Sequence, residues 1–342
     1  MRAIVIHAPR DLRIEEHAAG QPGPGEVAVR IQAGGICGSD LHYFNHGGFG
    51  AIRIQEPMIL GHEIAGRVEA LGPGVKDLAV GDAVAVNPSR PCGHCGYCLE
   101  GLPNHCETMR FYGSAMRMPH IQGGFRELLV CDAGQCFKAE GVSMGELALA
   151  EPFAVTLHAI ARAGDLLGKR VLVSGSGPIG ALALAAARHH GAMEIIATDI
   201  VDEPLAIVRR LGADRTINVA TDGAALASLN AGKGTIDVMF ECSGNAQALK
   251  AGLQALRPRG RLVQLGLGGD VPLQQNLVVS KEISFVGSFR FHAEFGLAVR
   301  LIAERRVDLS PLITGTFALE EALAGFEAAN DRRRSMKVQI AF

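Results

Sequence analysis

The stretch RVLVSGSGPIGALALAAARHH, residues 170–190, joins a short apolar run to a longer one through three glycines in G-x-G-x-x-G spacing. A buried strand, a tight turn and a buried helix fit this order, because the glycines interrupt the apolar sequence before it reaches membrane-spanning length. Gly175 permits the tight turn, Gly177 lets backbone approach a pyrophosphate, and Gly180 allows close packing of helix against strand. The stretch therefore predicts a strand–turn–helix unit that binds a dinucleotide.

An acidic residue in the right place strengthens this prediction. Asp199 ends the next predicted strand, nineteen residues after the last motif glycine. It would hold the adenosine ribose hydroxyls, while the first turn of the helix, with Pro178 and Ile179, would lie against the phosphates. Asp199 would repel a 2′-phosphate and no arginine follows it directly, so NAD is favoured. NADP remains possible because Arg209 and Arg210 lie further along.

Strands and helices alternate on both sides of this unit. Six short apolar strands (RVLVSG, EIIATD, RTINV, IDVMFECSG, GRLVQLG and EISFVGS) interleave with helices over residues 151–288. This alternation predicts an α/β domain with a doubly wound parallel sheet. Residues 1–150 instead show short alternating strands between Gly/Pro turns, which suits a β-rich, barrel-like domain. Residues 289–342 do not continue the strand–helix repeat, and we expect them to return to the first domain and close the cleft.

Composition indicates the class of protein. The 342 residues carry a formal net charge of −2, with 48% hydrophobic and 20% charged residues and no long basic or acidic run. This predicts a folded protein that acts on a small molecule, with neither nucleic acid nor a membrane as partner. The opening MRAIVIHAPRDLRI lacks the apolar segment of a signal peptide, and metal-spaced cysteines favour reduced thiols. We therefore expect a cytoplasmic location.

Four of the eight cysteines, Cys92, Cys95, Cys98 and Cys106, form a C-x2-C-x2-C-x7-C cluster in a Gly/Pro-rich lobe. Four thiolates complete a tetrahedral zinc shell, which predicts a structural site that stabilises a lobe with little core of its own. An iron–sulfur cluster is the alternative, because C-x2-C-x2-C also opens the ferredoxin pattern. The later fourth cysteine, followed by Glu107 rather than proline, favours zinc.

A second, open metal site is indicated by Cys37 in GGICGSDLH and by the Gly-His-Glu that contains His62 and Glu63. Glu151 begins a predicted helix that crosses between the domains and adds a carboxylate. One thiolate with a histidine and a carboxylate leaves a zinc ion a free position, where it lowers the pKa of a bound water or alcohol. Beside a dinucleotide crevice, such a site predicts hydride transfer from an alcohol to nicotinamide.

CGSDLH, GHE-x2-G, the four-cysteine lobe and GSGPIG, in this order, resemble the zinc-dependent medium-chain alcohol and polyol dehydrogenases over essentially the whole chain. The resemblance implies a GroES-like catalytic domain, a Rossmann domain and a homodimer or homotetramer. It also implies that Cys37, His62 and Glu151 surround the catalytic zinc, with Glu63 behind them or exchanging with them. Glu151 stands where the alcohol-dehydrogenase branch has cysteine, and an acid there is typical of polyol dehydrogenases.

The same resemblance implies roles for residues that follow Cys37. Ser39 and His42 occupy proton-relay positions, and Tyr43 matches a position that lines the substrate. AVNPSRPCGHCGYC, MRFYGSAMRMPHIQGGF and KEISFVGSFRF further resemble the L-idonate 5-dehydrogenases within the polyol branch. A neutral polyol such as sorbitol or xylitol is the alternative substrate. A zinc-stabilised nucleotide-binding protein without turnover is a third interpretation, but no zinc-ligand or relay residue is missing.

Two arginines are candidates for substrate recognition. Arg290 follows the last strand of the dinucleotide domain, where sorbitol dehydrogenases have Arg-Tyr, although Phe291 comes second here. Arg290 and Arg110 are expected to hold hydroxyls or a sugar-acid carboxylate, because arginine forms bidentate pairs with carboxylates. Phe111 is expected to line the same wall, and an ordinary surface role remains open for Arg110. The three remaining cysteines are assigned to packing: Cys131, Cys136 and Cys242.

Overall fold

The computed structural model describes residues 1–342 and contains two large sheets with helices around them. The strands are β1 Arg2–Ala8, β2 Asp11–Glu16, β3 Glu26–Gly35, β4 Gly48–Phe49, β5 Ile52–Arg53, β6 Met58–Ile59, β7 Glu63–Leu71, β8 Ala83–Val86, β9 Ser89–Arg90, β10 Arg110–Phe111, β11 Leu128–Asp132, β12 Cys136–Lys138, β13 Arg170–Ser174, β14 Glu194–Asp199, β15 Arg215–Asn218, β16 Ile236–Glu241, β17 Leu256–Gln264, β18 Ser284–Gly287, β19 Ile313–Ala318 and β20 Lys337–Ala341.

The helices connect the strands and cover the sheets. The α-helices are α1 Gly38–His46, α2 Gly96–Leu99, α3 Met144–Ala148, α4 Ala150–Ala163, α5 Pro178–His189, α6 Asp202–Arg210, α7 Gly223–Ala227, α8 Ala246–Ala255, α9 Gln275–Ser280, α10 Glu294–Ala303 and α11 Ala322–Asn330. Short 3-10 helices lie at Pro103–His105, Ala133–Gln135, Ser228–Asn230, Ser310–Leu312 and Leu319–Glu321. None of the helices combines the length and apolar composition needed to cross a membrane.

The six predicted parallel strands form one sheet in the order β15-β14-β13-β16-β17-β18. Their apolar runs are buried on both faces, as at Val171, Leu172 and Val173 of β13, because the crossover helices cover both sides of the sheet. The chain leaves β13 and β16 toward opposite edges, so a crevice opens at their carboxyl ends. This is the doubly wound Rossmann order, and it confirms the predicted fold class.

The other large sheet belongs to the β-rich part of the chain, in the order β12-β8-β7-β3-β20-β19, with β11 paired to β3. β20 runs antiparallel to β3, with Gln339 opposite Gly35. The segment after the Rossmann sheet therefore returns to the first sheet. The boundaries at residues 150 and 288 stay a prediction. The sequence analysis predicts neither β19 nor α9. Each has only six residues and none of them is buried, so their hydrophobic periodicity is too short to identify them.

Helix α4 joins the two parts. It has ten buried residues among its fourteen, and Phe153 in its first turn is completely buried. One hydrophobic cluster includes this helix together with Ala65 of the first sheet and Val173 of the Rossmann sheet. Burying a phenylalanine contributes about 1.5–3 kcal/mol. The cleft between the domains is therefore formed on a firmly packed helix.

Candidate active site

The four cysteines of the lobe are brought together as predicted from their spacing. The sulfur atoms of Cys92, Cys95, Cys98 and Cys106 all lie within 4.8 Å of one another, and Cys92 Sγ is 4.0 Å from Cys98 Sγ. Tetrahedral zinc with Zn–S bonds of about 2.3 Å places its sulfur ligands about 3.8 Å apart. Backbone hydrogen bonds, the first from His94, lower the pKa of Cys92, whereas desolvation raises the pKa of Cys98 to about 12, so zinc must displace a proton from that thiol on binding. The cluster fits a closed zinc site.

A second donor group lies in the interior of the first domain. Cys37 directly precedes α1, while His62 and Glu63 lie at the start of β7; their ligand atoms are within 4.8 Å of one another. His62 is 5% exposed and Glu63 is completely buried. Asp40 fixes the two chain segments, because its carboxylate accepts hydrogen bonds from Cys37 N at 3.0 Å and Gly61 N at 3.2 Å.

The electrostatics of this group fit a bound cation. Burial, assisted by the charge of Glu63, raises the pKa of Cys37 to about 11, so zinc must displace a proton from the thiol on binding. His62 Nδ1 is buried without a hydrogen-bond partner, and the nearest carboxylate oxygen, Asp40 Oδ1, is 3.8 Å away. A buried thiol, an unpaired imidazole and a carboxylate are the donor types that catalytic zinc prefers.

Glu63 has a cationic partner that sequence reasoning missed. Lys337 Nζ of β20 donates to both carboxylate oxygens at 2.8 Å and to the carbonyl of Ile36 at 3.2 Å. Space for the carboxylate comes from Gly35, where an added Cβ would lie 2.2 Å from Glu63 Oε2. The sequence signal for this partner is a lysine within MKVQIAF, a stretch that is apolar apart from Lys337 and Gln339.

Glu151 lies beside this group but outside its compact set of donors. It is 5% exposed in the first turn of α4. Burial and the neighbouring Glu63 and Cys37 raise its pKa to about 8 despite the opposing effect of His62. The sequence favoured Glu151 as the third protein ligand, whereas the geometry favours Glu63. Direct ligation by Glu151 stays a prediction.

The predicted relay residues share one face of α1. Ser39 is half-buried and His42, one helical turn later, is exposed at the protein surface. Partial burial and the neighbouring His46 lower the pKa of His42, so its neutral form can accept a proton near pH 7. Tyr43 is 1% exposed, and its hydroxyl accepts a hydrogen bond from Ala115 N at 3.0 Å.

Of the predicted substrate residues, Phe111 and Arg290 meet at the wall of the site. The Phe111 and His62 rings lie 5.4 Å apart, and Arg290 Cζ is 4.3 Å from the centre of the Phe111 ring. Arg110 is directed elsewhere: it is exposed and lines a surface cavity with Arg90, Pro91, Cys92 and Thr108. Successive side chains of a strand point to opposite faces, which separates Arg110 from Phe111. The structure does not bring Arg110 to the candidate site.

The glycine motif has the geometry that dinucleotide binding requires. Gly175 has φ +85°, and a Cβ there would lie 2.8 Å from Ser243 Cβ; a Cβ at Gly180 would lie 1.8 Å from the carbonyl oxygen of Gly175. Gly177 has open space around it, at the start of α5. Asp199 accepts a hydrogen bond from Ser176 N at 2.8 Å, which ties the acid to the motif. The crevice therefore fits a pyrophosphate and a ribose.

Comparisons with known proteins agree with both halves of this arrangement. Residues 23–141 match the alcohol dehydrogenase GroES-like domain, and residues 178–304 match the family described as zinc-binding dehydrogenase. L-idonate 5-dehydrogenase (NAD(P)(+)) of Escherichia coli is 41% identical over 92% of this chain and 91% of its own. The chain belongs to the zinc-binding dehydrogenase family.

One further relative and one solved structure show how much of this dehydrogenase is shared. Sorbitol dehydrogenase of Gallus gallus is 36% identical over 99% of the chain and 95% of its own length. The crystal structure of L-idonate 5-dehydrogenase from E. coli superposes with a TM-score of 0.96 at 38% identity, covering 100% of this chain and 98% of the other. The predictions of an oxidoreductase, of zinc and of a nicotinamide dinucleotide are thereby confirmed.

Proposed function

We propose that this dehydrogenase oxidises the C5 hydroxyl of L-idonate to 5-keto-D-gluconate with NAD, and catalyses the reverse reaction. The observation that carries the proposal is the half-buried Arg290 guanidinium on the site wall, in a chain so similar to an L-idonate 5-dehydrogenase. Arginine pairs with a carboxylate through two parallel hydrogen bonds. An anionic substrate would thus be held by its acid end.

The roles proposed for the site residues follow their surroundings. Cys37, His62 and Glu63 would hold zinc, with Glu151 beside them; zinc, when bound, supplies a Lewis acid that lowers the pKa of an alcohol. Ser39 would accept the hydroxyl proton, and His42, which is exposed, would pass it to solvent. Tyr43 and Phe111 would form the apolar wall of the substrate site.

Cofactor binding is proposed for the glycine crevice. Gly175, Gly177, Pro178, Ile179 and Gly180 would receive the pyrophosphate, because this turn combines open space with the start of a helix. Asp199 would hold the adenosine ribose, which supports NAD over NADP since a 2′-phosphate would be repelled.

A panel of aldonates and polyols, each assayed with NAD and NADP by absorbance of the reduced cofactor, tests the proposal. We expect the highest kcat/KM for L-idonate with NAD. Arg290→Ala should raise KM for L-idonate about tenfold or more, because one charged hydrogen-bonded pair is lost. The KM for sorbitol, which has no carboxylate, should change less than about twofold. Equal changes for both substrates would contradict the carboxylate role.

A sorbitol- or xylitol-type polyol dehydrogenase is the second candidate. Its support is the similarity to sorbitol dehydrogenases. Higher kcat/KM for a neutral polyol in the same panel, with little effect of Arg290→Ala, would favour it.

We further propose a homo-oligomer, a dimer or a tetramer, in the cytoplasm. β18 is an edge strand that pairs with β17 alone, and Phe285 on it is 40% exposed. Unpaired edge strands offer hydrogen bonds to a second copy. All eight cysteines are free, which suits a reducing compartment. Light scattering of the protein and of Phe285→Arg tests the assembly, since the charge should shift it toward monomer.

A further inference from the structure

The segment that carries Arg290 is held in an unfavourable conformation. Residues 288–293 connect β18 to α10, and Arg290 adopts φ +54°. A non-glycine residue in the left-handed region is strained and persists only where its surroundings fix it. Because the guanidinium lies over Phe111, which contacts His62, any movement of this segment changes the wall of the candidate site.

The four-cysteine lobe supplies one of the contacts that fix the segment. Asn104 is 6% exposed, and its Nδ2 donates to the carbonyl oxygen of Phe289 at 3.1 Å. The ring of His105 packs 5.9 Å from the ring of Phe289. Both lobe residues belong to the 3-10 helix that directly precedes Cys106, whose N–H donates to the carbonyl of Pro103 at 3.0 Å. The predicted metal ligand and this contact therefore share one turn.

The far end of the segment is tied to helix α4. The Glu294 carboxylate accepts hydrogen bonds from His292 N at 2.7 Å and pairs with His158 Nδ1 at 2.9 Å. His158 lies seven residues after Glu151 on the same helix.

Two further polar contacts hold the segment: Ser288 N donates to the carbonyl of Gln264 at 3.0 Å, and Arg290 Nη2 lies 3.2 Å from Met116 Sδ. The Asn104 hydrogen bond is the one polar contact that residues 92–106 make with the segment.

We propose that Asn104 is a positioning residue for substrate recognition. By holding the carbonyl of Phe289, it sets the place of the Arg290 guanidinium against Phe111. The four-cysteine lobe thus governs affinity for an anionic substrate as well as stability. This inference rests on the proposed function in one respect, the contact between Arg290 and the substrate carboxylate.

Asn104→Asp and Asn104→Ala test it in the zinc-loaded protein. Aspartate keeps the size of the side chain but cannot donate the hydrogen bond when ionised. Leu102→Ala is the control, because Leu102 is exposed and directly precedes the 3-10 helix that contains Asn104. KM and kcat are measured for L-idonate and sorbitol at saturating NAD, with hydrogen exchange of residues 288–293 and the zinc content of each variant.

We expect both Asn104 variants to raise KM for L-idonate about fivefold, because one hydrogen bond is lost. The kcat for both substrates and the KM for sorbitol should stay within about twofold of the values of the unchanged protein. Hydrogen exchange of the segment should accelerate while both zinc ions are retained. In an Arg290→Ala background the Asn104 change should add nothing further to KM, whereas a general loss of structure would give additive effects.

Two results would overturn different parts of this inference: the positioning of the segment by Asn104, and the contact of Arg290 with the substrate carboxylate. Unchanged hydrogen exchange at 288–293 in both Asn104 variants refutes the positioning role, whatever the substrate. Accelerated exchange with equal KM changes for L-idonate and sorbitol leaves the segment positioned by Asn104 but refutes the carboxylate contact of Arg290.

Discussion

The four-cysteine cluster takes all its donors from fifteen consecutive residues, 92–106. The donors of the Cys37 group instead come from two separate chain segments, and Lys337 of a third segment, β20, pairs with the Glu63 carboxylate. The first cluster lies in a lobe with an exposed surface and few buried side chains. The second is buried and held by charges and hydrogen bonds of the fold. A local site depends on its metal for structure, while a site assembled by the fold depends on its metal for chemistry.

Cys37→Ala is the strongest test of this difference. We expect kcat/KM to fall by about a thousandfold or more, because several kcal/mol of transition-state charge stabilisation depend on the catalytic metal. The zinc content should fall by one ion per chain, and the melting temperature should change little because Asp40 and Lys337 still hold the site. A large drop in melting temperature would show that the buried site also depends on metal for its structure.

Cys95→Ser should have the opposite effects, with a large loss of thermal stability and little loss of kcat. Loss of the lobe zinc removes several kcal/mol of binding free energy from the folded state, so the melting temperature should fall clearly. Protein that remains folded at low temperature should keep most of its kcat. Cys242→Ala, outside both clusters, is the matched control for loss of a thiol. A variant with full thermal stability would mean that the lobe folds without its metal.

Glu63→Gln and Glu151→Gln form a matched pair that identifies the third protein ligand. Because the Glu63 carboxylate lies within the donor group, its change should weaken zinc affinity by about tenfold or more. Glu151→Gln should leave zinc affinity within about threefold and act on kcat instead. Competition with a chelator measures both affinities, and the reverse ranking would restore Glu151 as the ligand.

The contact between the segment 288–293 and helix α4 depends on the ionised carboxylate of Glu294, so it can be tested by lowering the pH. Burial alone would raise the pKa of Glu294, but hydrogen bonds from His158 and the His292 backbone outweigh it and lower the pKa to about 2. The unfolded carboxyl titrates at about 4.3, so the folded state gains stability above that pH and loses it as the pH falls toward 2. Glu294→Gln should flatten the fall in unfolding free energy over this window, measured by denaturant titration. An unchanged slope would contradict the effect.

The Rossmann half was predictable because its patterns are local. Each strand is one apolar run, and the glycine motif specifies its turn within seven residues, 174–180. The cysteine lobe was predictable for the same reason. Lys337 could not be assigned, because its contact with Glu63 exists only when β20 pairs with β3.

The substrate wall shows a second limit. Arg110 and Phe111 are adjacent in sequence, and only the orientation of the two-residue strand β10 decides which of them faces His62. The choice between Glu63 and Glu151 as the third ligand also stays a prediction from sequence, since it depends on distances between side chains of separate segments. Asn104 carried no sequence signal, as a buried asparagine in a lobe resembles any loop residue.

Glu63 and Lys337 are 274 residues apart in the chain, which gives the ion pair a consequence during synthesis. At about 5–20 residues per second, a ribosome needs roughly 14–55 seconds to reach the lysine after the glutamate. Until then, burying the carboxylate would leave an uncompensated charge, which is costly. The strands of the Rossmann sheet, which end at Gly287, have been synthesised by that time, so we expect the nascent chain to complete its nucleotide-binding half first and to close its catalytic pocket last.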